Sequence, residues 1–216
     1  MSELAKFIEH TYLQPDTNLL DVHRICEEAL RSNFAVVCVP PFFVREARKI
    51  IGDRPKIRLG TVVGFPMGYS AISAKSDEIK RAMDEGADDI DAVINLAAIK
   101  SNMWNHLQRD TDALVLATQS RGGQLKLILE CGLLSDDELK KSSQIAKEAG
   151  VPWLSSGTGW FGHPATSAMV ERMIAASGNS FKYKAVTDKI DIMLAESLVQ
   201  AGAHRIGTSQ SLNLTK

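Results

Sequence analysis

The sequence has little of several features that would each point to a particular class of protein. Its 216 residues carry 25 Lys and Arg against 26 Asp and Glu, so the formal charge of −1 gives no global field that favours nucleic acid or an anionic membrane. Its longest uncharged runs, 35–44 and 59–73, are too short or too rich in Gly and Pro to span a bilayer. We therefore expect neither a nucleic-acid partner nor a membrane partner.

Cysteine is scarce, and the N-terminal segment has no export signal. Cys26, Cys38 and Cys131 are an odd number without C-x-x-C spacing, which argues against a disulfide framework and a thiolate zinc site. Residues 1–6 alternate charged and apolar side chains, without the apolar stretch of a secretory signal. We expect a cytoplasmic location and reduced thiols that are buried or half-buried.

The residues that are present alternate between two periods. Length favours one domain, and no linker or composition shift divides residues 1–216. Short β-rich apolar runs are separated by longer stretches of helical spacing, which is typical of an α/β protein with parallel strands. The predicted strands are 11–13, 35–39, 58–64, 89–94, 125–130, 151–155, 181–185 and 204–206.

Helical segments lie between these strands. The predicted helices are 17–32, 41–51, 73–85, 105–120, 135–149, 164–176 and 188–201, with a short one after residue 207. Ser135 and Glu138 form a capping-box pattern, and Gly150, Gly178 and Gly202 stand where helices commonly end. Eight strands with eight helices predict a closed (β/α)8 TIM barrel. An open dinucleotide-binding sheet would need an early G-x-G-x-x-G turn, which the sequence lacks.

Polar residues within the apolar strands are informative, because the active sites of such barrels lie at the C-terminal ends of the strands. Alternation along the fourth strand places Asp91 inside the barrel. Lys126 and Glu130 share one face of the fifth strand, and Lys182 and Lys184 share one face of the seventh. Because buried charges are rarely tolerated unpaired, these residues predict an interior cluster of lysines and carboxylates.

The role of this cluster has two interpretations. Lys126 and Lys182 lie near strand starts, where a structural ion-pair layer is the simpler interpretation and the favoured one for Lys182. Lys184 and Asp91 lie further along their strands, where a catalytic role is favoured. A desolvated lysine beside other cations has a lowered pKa and can act as an acid, a base or an amine nucleophile. For His10, a role in the site and a structural role both stay open.

Two glycine-containing turns follow strands. The segment 155–162, S-S-G-T-G-W-F-G, can offer backbone N–H groups to an anion or a carbonyl oxygen, and Gly207-Thr208-Ser209 resembles a phosphate cradle. Glycines also serve as simple turn residues, so neither turn identifies a site by itself. No G-x-S-x-G elbow occurs, so a hydrolase triad has no support.

Six segments, in their order along the chain, match the motifs of a known family. They are I-E-H-T-Y-L-Q-P at 8–15, V-C-V-P-P-F-F-V at 37–44, T-V-V-G-F-P-M-G at 61–68, G-A-D-D-I-D at 86–91, L-K-L-I-L-E-C at 125–131 and A-H-R-I-G-T-S at 203–209. Over essentially its whole length the sequence resembles the deoxyribose-phosphate aldolases. The resemblance implies a class I aldolase without metal or other cofactor, in which a lysine forms a Schiff base with an aldehyde. It also implies that Asp91 shuttles protons and that Lys184 is a second lysine that tunes the nucleophile.

Two departures from the family pattern fall on its chemistry. The family strand F-V-K-T-S-T-G-F is W-L-S-S-G-T-G-W at 153–160, so Ser155 occupies the Schiff-base position, and a hydroxyl cannot form an imine. The family's phosphate turn K-A-S-G-G-I is K-A-V-T-D-K-I at 184–190, where both glycines are lost and Asp188 would repel a phosphate. We interpret the sequence as a divergent member that lacks the Schiff-base lysine and has a changed chemistry or substrate.

Three functions stay open. The first is aldol-type lyase chemistry on a small aldehyde or sugar-like carbonyl, with Lys184, or else Lys126, replacing the missing amine and Asp91 as general acid/base. The second uses Lys184 and Asp91 as a noncovalent acid/base pair on a non-phosphorylated substrate, in an isomerisation, dehydration, cyclisation or carbon–carbon cleavage. Trp153 and Trp160 would suit an apolar or planar ligand in this case. The third is a noncatalytic barrel. We favour the lyase.

The expected site follows from the patterns and the resemblance together. Residues expected to act in catalysis are Asp91, Lys184, Lys126 and Ser155, and those expected to bind substrate are Cys38, Glu130, Thr158, Gly159, Gly207 and Ser209. No residue is expected to bind a metal. The expected partner is a small-molecule carbonyl substrate, and the expected assembly is a homodimer.

Overall fold

Eight parallel strands form one closed barrel in chain order in the computed structural model, which describes residues 3–52 and 57–214. The strands are β1 Ile8–Thr11, β2 Val36–Val39, β3 Arg58–Val63, β4 Asp89–Val93, β5 Gln124–Ile128, β6 Trp153–Ser155, β7 Lys182–Val186 and β8 Arg205–Thr208. The register between β1 and β8, which pairs Ile8 with Ile206, closes the ring. The predicted (β/α)8 barrel is confirmed.

Helices surround the barrel. Within the described ranges they are α1 Leu19–Ser32, α2 Val44–Ile51, α3 Ile72–Asp84, α4 Leu96–Lys100, α5 Trp104–Gln119, α6 Asp136–Glu148, α7 Ser167–Ser177 and α8 Ile192–Gln200. Short 3-10 turns cover Glu3–Phe7, Pro41–Phe43, Cys131–Leu133 and Ser211–Leu214, and the last of these stands where a short helix is predicted after residue 207. No helix in this part of the chain is long and apolar enough to cross a membrane.

Helix ends follow local capping. The Ser135 hydroxyl accepts a hydrogen bond from the Glu138 N–H, and the Glu138 carboxylate accepts one from the Ser135 N–H, as the capping-box pattern predicts. A second box, formed by Asn18 and Asp21, sets the start of α1 two residues later than predicted, at Leu19. The helix α4 is not predicted, because five residues are too few to show a helical period.

The first strand lies three residues earlier than predicted, at Ile8–Thr11 rather than 11–13. The prediction is wrong because Glu9 and His10 interrupt the apolar pattern that marks the other strands. Both are buried, Glu9 toward the barrel interior and His10 toward the helices. The correct bounds place Glu9 beside Val36 of β2 and Gly207 of β8, and so bring a carboxylate into the barrel.

The main hydrophobic core lies between the barrel and the helices. Outward-facing strand residues such as Ile90, Leu127 and Leu154 are fully buried there. Each such side chain contributes about 1.5–3 kcal/mol when it leaves water. The apolar stabilisation of the fold therefore comes largely from this outer layer, which leaves the barrel interior free to hold polar groups.

Candidate active site

An ionic cluster fills the barrel interior. Lys126 Nζ lies 2.6 Å from Asp89 Oδ2 and 3.1 Å from Glu9 Oε1. The same nitrogen lies 3.3 Å from Asp91 Oδ1. Lys184 Nζ lies 2.5 Å from Glu9 Oε2 and forms an ion pair with Asp91 Oδ2. Each of these five residues is at most 3% exposed. The predicted interior cluster is confirmed for Asp91, Lys126 and Lys184. The prediction that Glu130 and Lys182 belong to it is wrong, because Glu130 binds Thr158 instead and Lys182 is exposed.

The N-terminal end of the barrel adds a further cation. The Arg58 guanidinium lies 2.6 Å from Asp89 Oδ1, so the cluster contains three carboxylates and three cations and its formal charges balance. Lys182 is exposed at this end, with Nζ 5.3 Å from the ring centroid of Trp153, as the structural interpretation of that lysine predicts. Trp153 begins β6 and lies in this layer, so the suggestion that it flanks a ligand at the other end of the strand is wrong.

The two buried lysines are held in their charged form. Burial lowers the pKa of Lys184, but the carboxylates of Asp91 and Glu9 outweigh burial and hold that pKa above its ordinary value. Burial also acts against the charge of Lys126, and three carboxylates, with Asp89 the strongest, raise the pKa of this lysine well above its ordinary value. The prediction of a lowered lysine pKa is therefore wrong, because carboxylates rather than cations dominate the surroundings of both amines.

Ser155 lies beside Lys184 on the neighbouring strand. The two residues are register partners in β6 and β7, so their Cα atoms are about 4.8 Å apart and both side chains face the interior. Ser155 is fully buried, and its hydroxyl has no hydrogen-bond partner among the described residues. Such an orphaned hydroxyl costs about 1–3 kcal/mol, so this position places an unsatisfied polar group on the strand next to Lys184.

A small cavity of about 20 Å³ lies over the Lys184 and Asp91 pair, and Thr11, Cys38 and Thr158 are also in its lining. The volume is sufficient for one water-sized group. Burial raises the pKa of the Cys38 thiol to about 12, so this side chain is a neutral thiol. The ion pair therefore forms part of the floor of a space at the C-terminal end of the barrel.

A wider pocket of about 220 Å³, which we call the mouth pocket, lies at the C-terminal ends of β1, β6, β7 and β8. Four of the residues expected to bind substrate line it, namely Thr158, Gly159, Gly207 and Ser209, together with Asp188. The loops after β6, β7 and β8 thus bring together residues that are distant in the sequence. The sixth expected contact, Glu130, lies beneath the turn after β6 rather than on the wall of this pocket.

Carboxylates of the chain itself occupy donors of both turns that the sequence marks as anion cradles. Asp188 Oδ1 accepts hydrogen bonds from the Ser209 N–H at 3.0 Å and from the Ser209 hydroxyl at 2.9 Å. Glu130 Oε2 accepts from the Thr158 N–H and the Thr158 hydroxyl, each at 2.8 Å. A Cβ atom at Gly157 would lie 2.7 Å from Glu130 Oε1, so the approach of this carboxylate requires glycine there. The N–H groups of Thr158 and Ser209 are therefore already occupied by carboxylates of the chain.

Comparison with known proteins gives the family of this chain. A family model described as DeoC/LacD family aldolase matches residues 4–156. A protein named deoxyribose-phosphate aldolase from Caldanaerobacter subterraneus is 35% identical over 217 residues, which cover 100% of this chain and 94% of that protein. The protein of the same name from Thermococcus gammatolerans is 32% identical over 215 residues, or 99% of this chain and 96% of that protein. The chain belongs to this aldolase family.

The structural comparison agrees. The chain superposes on the solved deoxyribose phosphate aldolase from Aeropyrum pernix, described as having a unique tetrameric structure, with a TM-score of 0.89. The two sequences are 25% identical, and the match covers 98% of this chain and 89% of the Aeropyrum chain. The prediction of an enzyme of the lyase class and of aldolase descent is confirmed at the level of family and fold.

Two carboxylates of the ionic cluster, like Arg58, are not among the predicted site residues. Glu9 escapes prediction because the first strand is placed too late in the chain, so its alternation is not considered. Asp89 has the same parity as Asp91 along β4, and that alternation is a signal that would have found it. Both missed residues contact Lys126, so they decide its protonation state.

His10 lies outside the ionic cluster. Its Nε2 atom is 2.8 Å from Glu28 Oε2 in α1, and its Nδ1 atom is 2.9 Å from the Ser211 hydroxyl in the C-terminal 3-10 turn. Burial lowers the pKa of His10 despite the neighbouring Glu28 carboxylate. The geometry supports the structural interpretation, in which this ring joins β1 to α1 and to the end of the described chain.

Proposed function

We propose that this aldolase forms or breaks a carbon–carbon bond in a small carbonyl substrate without phosphate, and that Lys184 and Asp91 act on it as a noncovalent acid/base pair. The observation that carries the proposal is the direct ion pair between these two side chains beneath the C-terminal mouth of the barrel. In barrels of this kind, chemistry takes place at that end.

The reaction balances with these two groups alone. In the cleavage direction the substrate is a β-hydroxy carbonyl compound, and Asp91 takes the proton of its hydroxyl group as the carbon–carbon bond breaks. The electron pair of that bond moves to the carbonyl group, where Lys184 donates a proton to the developing enolate oxygen. The products are an aldehyde and an enol, which tautomerises to its ketone. Because Lys184 and Asp91 are in contact, the proton returns from the carboxyl group to the amine after each cycle.

The protonation state of the site supports a noncovalent route. Formation of an imine requires a neutral amine, whereas Asp91 and Glu9 hold the pKa of Lys184 above its ordinary value. An ammonium group is instead suited to stabilise and protonate an oxyanion. Ser155, which stands at the position that the family resemblance assigns to the Schiff-base lysine, contributes a hydroxyl rather than an amine.

The charge of the mouth pocket supports a substrate without phosphate. Asp188 occupies the N–H and hydroxyl donors of Ser209. Among the described residues that line the mouth pocket, none is Lys or Arg. A phosphate group bound there would meet a carboxylate and no compensating cation, whereas an uncharged substrate avoids this repulsion.

The test substrate is 4-hydroxypentan-2-one, which the proposed reaction cleaves to acetaldehyde and acetone. The release of acetaldehyde is measured. We expect Lys184→Met and Asp91→Asn each to lower kcat by about 10²- to 10⁴-fold, the usual contribution of general acid/base catalysis. Lys182→Met is the matched control, because it removes an exposed lysine of the same strand and should leave kcat unchanged. Equal turnover by the wild type and both active-site variants contradicts the proposal.

A trapping experiment separates the noncovalent route from an imine. The protein is treated with acetaldehyde and borohydride, and its intact mass is measured. We expect no adduct on the wild type and one adduct on Ser155→Lys, in which an amine stands at the buried position next to Lys184. A wild-type adduct that disappears in Lys184→Met establishes an imine and excludes the noncovalent mechanism.

A further inference from the structure

A third space, of about 510 Å³, opens beside the mouth between the loops that follow β1, β2 and β3. We call it the apolar groove, after the side chains that dominate its lining: Leu13, Pro40, Phe42, Phe43, Val62 and Phe65. Its volume is in the range of small-molecule sites, which are also predominantly apolar. Phe42 is 76% exposed and meets the Phe43 ring edge-on with a centroid distance of 4.9 Å, so an aromatic surface faces the groove without protein cover.

The apolar groove adjoins the small cavity over the Lys184 and Asp91 pair. Leu13, Val62 and Phe65 line both the groove and the small cavity over Lys184 and Asp91. These three side chains therefore stand between the Lys184 amine and the groove, so an apolar arm on a substrate bound at the amine would be directed toward them. The groove thus adjoins the carbon atoms on which the proposed reaction takes place.

An aromatic bridge separates the apolar groove from the mouth pocket. The rings of Phe65, from the loop after β3, and Trp160, from the loop after β6, meet edge-to-face with a centroid distance of 5.9 Å and an interplanar angle of 88°. Phe65 lines the groove, and Trp160, which is 48% exposed, lines the mouth pocket. A substituent that enters the groove therefore contacts one ring of this bridge.

The polar groups of the groove do not favour an anionic substituent. Glu78 lines it, and one oxygen of its carboxylate accepts a hydrogen bond from the Gly64 N–H at 2.9 Å. In the part of the chain that the structure describes, no Lys or Arg lines the groove. Apolar surface with a single carboxylate disfavours an anion, which would be desolvated without a partner.

We propose that the apolar groove binds an aromatic or branched aliphatic substituent carried by the carbonyl substrate. This inference rests on the proposed function for the orientation of the substrate and extends it from a compound without phosphate to one with an apolar arm. The reacting carbon atoms lie over Lys184 and Asp91, and the arm lies between Phe42 and Phe65.

The test measures binding separately from turnover. The probe is 4-phenylbutan-2-one, which has no hydroxyl group to lose a proton and is therefore not cleaved, and butan-2-one is the comparison without the ring. By titration calorimetry we expect the phenyl ketone to bind about ten- to a hundred-fold more tightly, the gain expected from burying a ring of phenylalanine size. Phe42→Asp should remove at least ten-fold of that gain. Leu116→Asp, at another exposed apolar residue, on α5, is the control and should remove none of it.

The outcomes distinguish the two proposals. Equal affinity for the two ketones, or equal affinity of the wild type and Phe42→Asp for the phenyl ketone, overturns the inference even when 4-hydroxypentan-2-one is cleaved. Tight binding of the phenyl ketone without cleavage of 4-hydroxy-4-phenylbutan-2-one or 4-hydroxypentan-2-one supports the groove and overturns the proposed function. If neither ketone binds and Phe42→Asp dissociates an oligomer in light scattering, the groove is an interface between copies of the chain, which also overturns the inference.

Discussion

Replacing Glu9 by glutamine tests the ionic cluster at the carboxylate that contacts both buried lysines. Glu9 is fully buried, with one oxygen 3.1 Å from Lys126 Nζ and the other 2.5 Å from Lys184 Nζ. Burial alone would raise the pKa of Glu9, but the two lysines outweigh it and lower the pKa from 4.5 to about 2. Glutamine keeps the size of the side chain and removes the charge.

The magnitude follows from the pKa shift. One pKa unit corresponds to about 1.4 kcal/mol, so ionised Glu9 contributes on the order of 3 kcal/mol to stability, which agrees with the 3–5 kcal/mol typical of breaking a buried ion pair. Because the folded pKa lies below the unfolded one, this contribution is fully present above about pH 4.5 and is lost as the pH falls toward 2. The difference between wild type and Glu9→Gln should therefore be about 3 kcal/mol at pH 7 and shrink toward zero at pH 2.

The assay is urea unfolding, monitored by circular dichroism, at several pH values between 7 and 2. Glu27→Gln is the control, because Glu27 forms a surface ion pair with Arg31 at 2.6 Å and both side chains are more than half exposed. That variant should lose at most about 0.5 kcal/mol. A Glu9→Gln protein that matches the wild type at pH 7, or a difference that does not change with pH, refutes the charge balance described here.

Two further changes test other parts of the structure. Asp188→Gly frees the Ser209 N–H and hydroxyl, so inorganic phosphate should bind the variant at least ten-fold more tightly than the wild type in calorimetry; unchanged affinity contradicts the role given to this carboxylate. His10→Phe removes the hydrogen bonds to Glu28 and Ser211. We expect the free energy of unfolding in urea to fall by about 1–3 kcal/mol and kcat to stay unchanged. A loss of kcat without a loss of stability would instead place His10 in the reaction.

The barrel is predictable from the sequence because most of its strands are apolar on at least one face and begin and end at clear turns. The exceptions have local causes. The first strand is misplaced because Glu9 and His10 are buried polar residues, stabilised by side chains that are distant in the sequence. The helix α4 is missed because its five residues cannot establish a period. Errors of this kind leave the topology intact but change which side chains are considered to face the interior.

The ionic cluster in the barrel interior is predictable in its location but not in its protonation state. Asp91 and Lys184 are found by strand alternation alone, since each interrupts an apolar strand. The sign of the pKa shift at Lys184 depends on the ratio of carboxylates to cations around it, and these come from β1, β4 and β5. A pattern within one strand contains no information about that ratio. The same limit applies to Asp188, whose hydrogen bonds to Ser209 join two different loops.

Gly207 determines where the amine of Lys184 is held. A Cβ atom at Gly207 would lie 2.7 Å from Lys184 Cε, so the methylene chain of the lysine crosses β8 over bare backbone. The position of the amine relative to Asp91 thus depends on the lack of a Cβ atom at this position of β8. Replacing Gly207 by alanine, through selection or engineering, adds one methyl group on β8. The methyl group would displace the positive charge of Lys184 within the barrel without changing any ionisable residue. A survey of charged residues would overlook this route to new chemistry.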